Sequence, residues 1–335
     1  MFLQRLSGVA NATAHRTSAS PPKRWIYKLV IWLFLASVLL TLAYTSISVY
    51  VAVRVVYESP EPVTQTPAAF GLNFREVTFP SREDHLTLRG WFMPGILPDG
   101  RLTTRRTLIL VHGLHSNRAA PLLLGLSAAL ARRGFAILDF DLRGHGQSAS
   151  APLSLGYFEQ RDVLGAVDFL HSGPLPYPEL GRPRAIGGWG DSMGGATMLL
   201  AAAHEPAIQA VVTDSAFAAI VPLLKEESNI PFMFVPSVLT ATRVLYGIDY
   251  SAVRPVDVVT SIAPRPIFFI QGTADTIVPP DNLRVLATAA RIARNAHVQI
   301  WLVAGANHIE AFHLMRNIYV ERVGAFFTAA LGPAA

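Results

Sequence analysis

The sequence predicts an α/β protein, built on a mostly parallel, doubly wound sheet of eight strands and preceded by one transmembrane helix. Two observations predict the sheet. Short apolar runs recur at 107–111 (TLILV), 136–140 (AILDF), 185–189 (AIGGW), 210–214 (AVVTD), 266–271 (PIFFIQ) and 298–303 (VQIWLV). They show little polar alternation, as strands buried on both faces do. Helix-like stretches at about 119–133, 159–171, 193–204, 280–293 and 310–331 lie between or after them, and regular strand–helix alternation implies an open sheet with helices on both faces. A third observation predicts the membrane helix: residues 29–53 carry no formal charge.

Taken in chain order, residues 1–28 read as a cytoplasmic tail, and Asn11-Ala12-Thr13 within it as a chance sequon. The 25 residues from Leu29 to Val53 exceed, as a helix, the roughly 30 Å hydrocarbon core of a bilayer. The run is also longer than the roughly 7–15 apolar residues of a cleaved signal, and no clear cleavage site follows it. Trp25, Tyr27, Trp32, Tyr50 and Tyr57 sit near its two ends, where interfacial aromatic residues belong. Five Lys/Arg residues precede the run, whereas only Arg54 and Arg75 follow within about 20 residues. A cytoplasmic N-terminus and an extracytoplasmic catalytic domain are therefore expected. Residues 54–73, with Pro60, Pro62 and Pro67, read as a linker, and 74–335 as the catalytic domain. Within it, REVTF (75–79) and LTLRGWF (86–92) predict an antiparallel pair joined by SREDH.

Composition narrows the function. Hydrophobic residues make up 51% of the chain and charged residues 15%, which suits a folded core and not a disordered chain. Six of the basic residues fall in positions 1–54 with no acidic one, leaving 22 basic against 23 acidic side chains beyond. The net charge of +5 thus belongs to the membrane-flanking segment, and a nucleic-acid partner loses its electrostatic support. The absence of cysteine excludes disulfides, thiolate catalysis and Cys-ligated zinc.

Chemistry on an open parallel sheet gathers at the carboxyl ends of the strands. Directly after AIGGW stands Gly190-Asp191-Ser192-Met193-Gly194, followed by Gly195 and an Ala/Leu-rich helical stretch. A G-x-S-x-G motif between strand and helix predicts a nucleophile elbow, with Gly190 and Gly194 removing Cβ atoms that would collide with the neighbouring strand and helix. Against it stands a turn in which Ser192 merely caps a helix. The order strand, motif, second glycine, helix favours the nucleophile. A serine needs a base within hydrogen-bond reach, and His308 follows the last strand in AGANH, whereas His297 precedes that strand and His313 falls inside the next helix. Asp275, just past PIFFIQ, is the expected acid partner, in the order Ser192, Asp275, His308. Asp214 also ends a strand and competes for that role, while Asp281 reads as a helix N-terminal residue. Backbone N–H groups of Met193 and Leu114 are the expected oxyanion donors. His112, His115, His145, Asp139 and Asp141 lack any familiar metal-ligand spacing, so no metal or cofactor is expected. Arg143 and His145 are expected to shape the pocket wall or to satisfy buried backbone.

HGLHSN, DFDLRGHGQS, GWGDSMGG, VVTDSAF, QGTADTIVPP and GANH, in that order over residues 75–331, resemble the alpha/beta-hydrolase superfamily. The serine in the elbow separates the chain from branches with an aspartate nucleophile. The arrangement looks like that of monoacylglycerol-lipase-like and serine-aminopeptidase-like members with a membrane anchor. That resemblance implies a lid at about 217–265, where IPFMFVP (230–236) either lines an acyl pocket or packs the lid onto the core. It also implies a small-molecule ester or amide substrate. Hydrolysis of carboxylic esters through an acyl-serine is the leading expectation, with a serine peptidase or amidase, or a non-catalytic membrane-tethered binding protein, as alternatives. The oligomeric state is left open.

Overall fold

The computed structural model describes residues 23–57, 59–227 and 230–333. The expectations for residues 1–22, including the sequon at Asn11, lie outside them. The chain divides into two units, 1–47 and 48–335. Helix α1 (Arg24–Val56) is longer than its uncharged stretch because nothing before Tyr57 breaks it: there is no Pro or Gly from residue 24 to 56. The stretch 24–28, read as tail, and the first residues of the expected linker, through Val56, are therefore helical.

In the second unit the elements follow as β1 (Arg75–Pro80), β2 (Thr87–Met93), β3 (Gly95–Ile96), β4 (Leu102–Thr103), β5 (Arg106–Val111), α2 (Pro121–Ala131), β6 (Ala136–Phe140), α3 (Glu159–Ser172), β7 (Ala185–Asp191), α4 (Met193–His204) and β8 (Ile208–Asp214). The 217–265 region is a helical insertion containing α5 (Ile220–Glu227), α6 (Val235–Tyr246) and α7 (Pro255–Val258) with short 3₁₀ turns. Then come β9 (Ile267–Gly272), α8 (Asp281–Ile292), β10 (Val298–Val303), α9 (Ala311–Leu314) and α10 (Arg316–Leu331). The main sheet has eight strands in the order β1-β2-β6-β5-β7-β8-β9-β10. Strand β2 runs antiparallel to both neighbours, and the six strands from β6 to β10 are parallel. This is the alpha/beta-hydrolase fold.

Burial explains why the strands read as continuous apolar runs. In β5, Leu108 and Leu110 join a core with Trp189, Phe268 and Phe327, whereas Ile109 and Val111 join one with Phe140, Met198 and Phe269. Successive side chains alternate faces, and here both faces are covered. Helices α3, α4 and α8 supply one layer through Val163, Leu199 and Leu286; α2 and α10 supply the other through Leu126 and Phe327. Two features were absent from the sequence reading. A two-residue ribbon pairs β3 with β4, and the helix expected over 310–331 breaks at Met315, with φ −129° and ψ 35°. The break lets buried Phe312 meet the ring of Tyr319 edge-on, at 5.5 Å and 87°.

Candidate active site

Strand β7 ends and α4 begins at Ser192, which holds φ 49° and ψ −120°, a conformation that L residues adopt only under constraint. The constraint is the crowding around it. A Cβ on Gly190 would stand 2.4 Å from the Gly194 carbonyl oxygen, and one on Gly194 2.3 Å from that of Val111. Only glycine at both positions lets the turn close against β5. The Ser192 N–H donates to the Asp214 carbonyl at 2.8 Å, tying the turn to the end of β8.

Three sequence-selected side chains converge here. Ser192 Oγ lies 2.9 Å from His308 Nε2, and His308 Nδ1 lies 2.9 Å from Asp275 Oδ2. With the Nδ1 proton donated to the carboxylate, Nε2 is left to accept from the serine hydroxyl. Asp275 is heavily bonded: Oδ1 accepts from the Ile277 and Val278 amides at 3.0 and 2.8 Å, and Oδ2 accepts from Gln271 Nε2 at 2.7 Å. Burial alone would push this carboxyl up, yet the His308 contact and the two amides outweigh it and hold the group below its ordinary range.

Asp214, the competing acid, is differently employed. Its Oδ2 accepts from the Tyr319 hydroxyl at 3.0 Å, which in turn accepts from Trp189 Nε1 at 3.1 Å. Its Oδ1 accepts from Ser215 Oγ at 3.1 Å, and Ser215 Oγ accepts the Ile309 N–H at 3.3 Å. Asp214 thus braces the nucleophile turn through its carbonyl and the His308 loop through Ser215. Burial raises its carboxyl to about 6 despite these hydrogen bonds. Asp191 is raised further, to about 7, by burial and then by the nearby Asp214 charge.

The loop after β5 is pinned from two sides. His112 is fully buried; its Nε2 accepts the Leu142 N–H at 3.1 Å, so Nδ1 carries the proton and donates to the Gly113 carbonyl at 2.8 Å. Burial, helped by the neighbouring His145, depresses this imidazole to about 3. Gly113 packs against Asp191, whose Oδ2 a Cβ at that position would meet at 3.0 Å. Leu114 is the next residue, and Met193 opens α4, where first-turn amides have no intrahelical partner. Both border a cavity of about 510 Å³ that also takes in Ser192, His308, Leu155 and Val278. From the insertion it is lined by Ile220, Leu223 and Leu224 together with Phe217, and not by residues 230–236. In that stretch Val235 is buried and Phe232 is 81% exposed. Arg143 pairs with buried Asp162 and with exposed Asp84 at 2.6 Å each, and His145 Nδ1 bonds the Arg143 carbonyl.

Residues 126–334, more than half of the chain, match the prolyl oligopeptidase family, Peptidase_S9. The chain belongs to the prolyl oligopeptidase family. This family member is 26% identical to the uncharacterized protein YfhR of Escherichia coli K12 over 257 residues, covering 75% of this chain and 80% of YfhR. It is 25% identical over 227 residues to the protein bem46 of Schizosaccharomyces pombe, covering 66% and 67%. Among solved structures, the esterase Pf2001 of Pyrococcus furiosus superposes with a TM-score of 0.67 at 23% identity, covering 83% of this chain and all of Pf2001. Est1E of Butyrivibrio proteoclasticus, solved with ferulic acid bound, superposes at 0.58 with 20% identity, covering 76% and 99%. These likenesses bear on the fold.

Sequence reasoning missed three members of this prolyl oligopeptidase family site. Gln271 ends an apolar strand as its one amide, a signal that was available in PIFFIQ. Ser215 follows Asp214 in VVTDSAF, where its left-handed φ of 57° leaves no trace in the sequence. Tyr319 lies 105 positions from Asp214, and only the fold brings it there.

Proposed function

We propose that this chain is a membrane-anchored serine hydrolase that cleaves carboxylic esters through an acyl-Ser192 intermediate. The observation that carries the reading is the unbroken hydrogen-bond chain Ser192–His308–Asp275 opening into an apolar cavity. His308 takes the serine proton as Oγ attacks the acyl carbon, and Asp275 holds the tautomer and balances the imidazolium. The Leu114 and Met193 amides receive the oxyanion. His308 then protonates the departing alcohol, and a water activated by the same imidazole releases the acid. The finer resemblance to monoacylglycerol-lipase-like members is supported by the apolar lining from Phe217 to Leu224, with residues 217–265 acting as a lid. Amide or peptide cleavage on the same residues is the second reading, favoured by the family match.

Fluorophosphonate labelling of the wild type, but not of Ser192→Ala or heat-denatured protein, is the expected result; an unlabelled folded wild type sinks the acyl-serine reading. Paired ester and anilide substrates of one acyl group then separate the two readings, and acetate against octanoate esters test the apolar cavity: equal rates would remove its role.

The anchor is α1, 33 residues long with a mean hydropathy of 2.2 over its most apolar 18 residues. The excess of Lys/Arg before residue 29 supports a cytoplasmic N-terminus and an extracytoplasmic catalytic domain. Protease added to intact cells is expected to digest that domain; protection until lysis would reverse the orientation.

A further inference from the structure

Two cavities meet at His115. It borders the apolar cavity that holds Ser192, and it also borders a polar one of about 490 Å³ lined by Arg54, Tyr57 and Ser59. Arg54 is the first charge after the apolar run, on the last turn of α1. That turn is firmly held. Ala52 and Val56 are buried, and positions two residues away point to the opposite side of a helix from Arg54. The Val56 carbonyl accepts the Leu153 N–H at 2.9 Å, Ser48 Oγ lies 2.7 Å from Ser237 Oγ, and the Tyr57 and Tyr246 rings meet edge-on at 5.6 Å. The exposed guanidinium of Arg54 is therefore carried on a fixed stem, and among the described residues no carboxylate pairs with it. Glu58, the nearest acid in sequence, lies outside them.

We infer that the polar cavity receives an anionic group, phosphate or carboxylate, on the alcohol half of an ester whose acyl half fills the apolar cavity. The inference rests on the ester-hydrolysis reading of Ser192. A planar guanidinium fork matches either oxyanion, and the Tyr57 and Ser59 hydroxyls add neutral donors. The volume is in the range of small-ligand sites. Acylation forms the Ser192 Oγ–acyl bond and breaks the acyl–oxygen bond; the alcohol leaves with the proton from His308 and carries its anion past His115. Water then releases the acid. Substrate selection is thereby split across His115, with chain length read on one side and head-group charge on the other.

The test uses the full chain in detergent with monomeric esters of one short acyl group on glycerol, glycerol phosphate and glyceric acid. The wild type is expected to prefer the anionic esters over the neutral one by about tenfold in kcat/KM, mostly through KM. Arg54→Gln should bring that ratio close to one, while Arg54→Lys keeps most of it. Preference for the phosphate alone, or for the carboxylate alone, names the group. Cleavage of the neutral ester with a ratio that Arg54→Gln does not change overturns the inference and leaves the ester reading standing. If no ester is cleaved and Ser192 is not labelled by fluorophosphonate, the ester reading itself has failed.

Discussion

The floor and the roof of the candidate site are built differently. On the floor, every reactive group is held by several bonds: Asp275 accepts from two amides, Gln271 and His308, and Ser192 is locked by its amide and by two glycines that admit no Cβ. The roof, residues 217–265, offers the cavity apolar side chains, and its hydrogen bonds lie behind that lining, such as the Ala218 N–H to Asn282 Oδ1 at 3.0 Å and the Ile220 N–H to the Val253 carbonyl at 3.1 Å. Leu223 and Leu224 are partly buried there, while Val244 and Phe232 stand 77% and 81% exposed. Chemistry requires groups placed to within fractions of an ångström, whereas an acyl chain requires only apolar area. The division teaches that reaction type and substrate range can change independently in this molecule.

Substitutions on the two layers sharpen that contrast. Ser192→Ala should lower ester turnover by about a millionfold, with the melting temperature within a few degrees of wild type; retained turnover would move the nucleophile elsewhere. Asp275→Asn should cost about 10⁴-fold in kcat, and near-normal activity would transfer the role of acid to Asp214. Ser215→Ala frees the Ile309 amide and should lower kcat by up to about a hundredfold with KM little altered; a pure KM effect would contradict its bracing role. On the roof, Leu223→Ala or Leu224→Ala should shift the octanoate-to-acetate ratio by about tenfold and leave acetate turnover near normal. A collapse of acetate turnover would show that the roof also positions the chemistry.

The smallest effect concerns pH. Asp191 keeps its proton to about pH 7 in the folded state, whereas an unfolded carboxyl loses it near pH 4. Because the folded form binds the extra proton, its contribution to stability is full at low pH and is lost as pH rises from about 4 to about 7. The melting temperature should fall over that window from this source, and Asp191→Asn should flatten the fall. An unchanged slope in the variant would place the proton on another group.

How far the sequence reached depended on whether the cause was local. The β5 run TLILV was legible because both of its faces are buried, and Ser192 because the close approach to β5 demands glycine on either side. Asp275 was preferred to Asp214 on chain order alone, since both lie at the carboxyl ends of parallel strands. What distinguishes them is a tyrosine hydroxyl arriving from α10 and a histidine arriving from the β10 loop. The break at Met315 was invisible for the same reason: the gain from seating Phe312 against Tyr319 is tertiary.

The last turn of α1 has a practical consequence for trimming the chain. Val56 is part of the core and its carbonyl is bonded to Leu153, so the catalytic body begins well before its first strand. A protease that left this body in working order would have to cut ahead of Ser48. Cleavage in the proline-containing stretch beyond Tyr57 would instead draw the end of α1 out of the body and take the Arg54 side of the cavity with it.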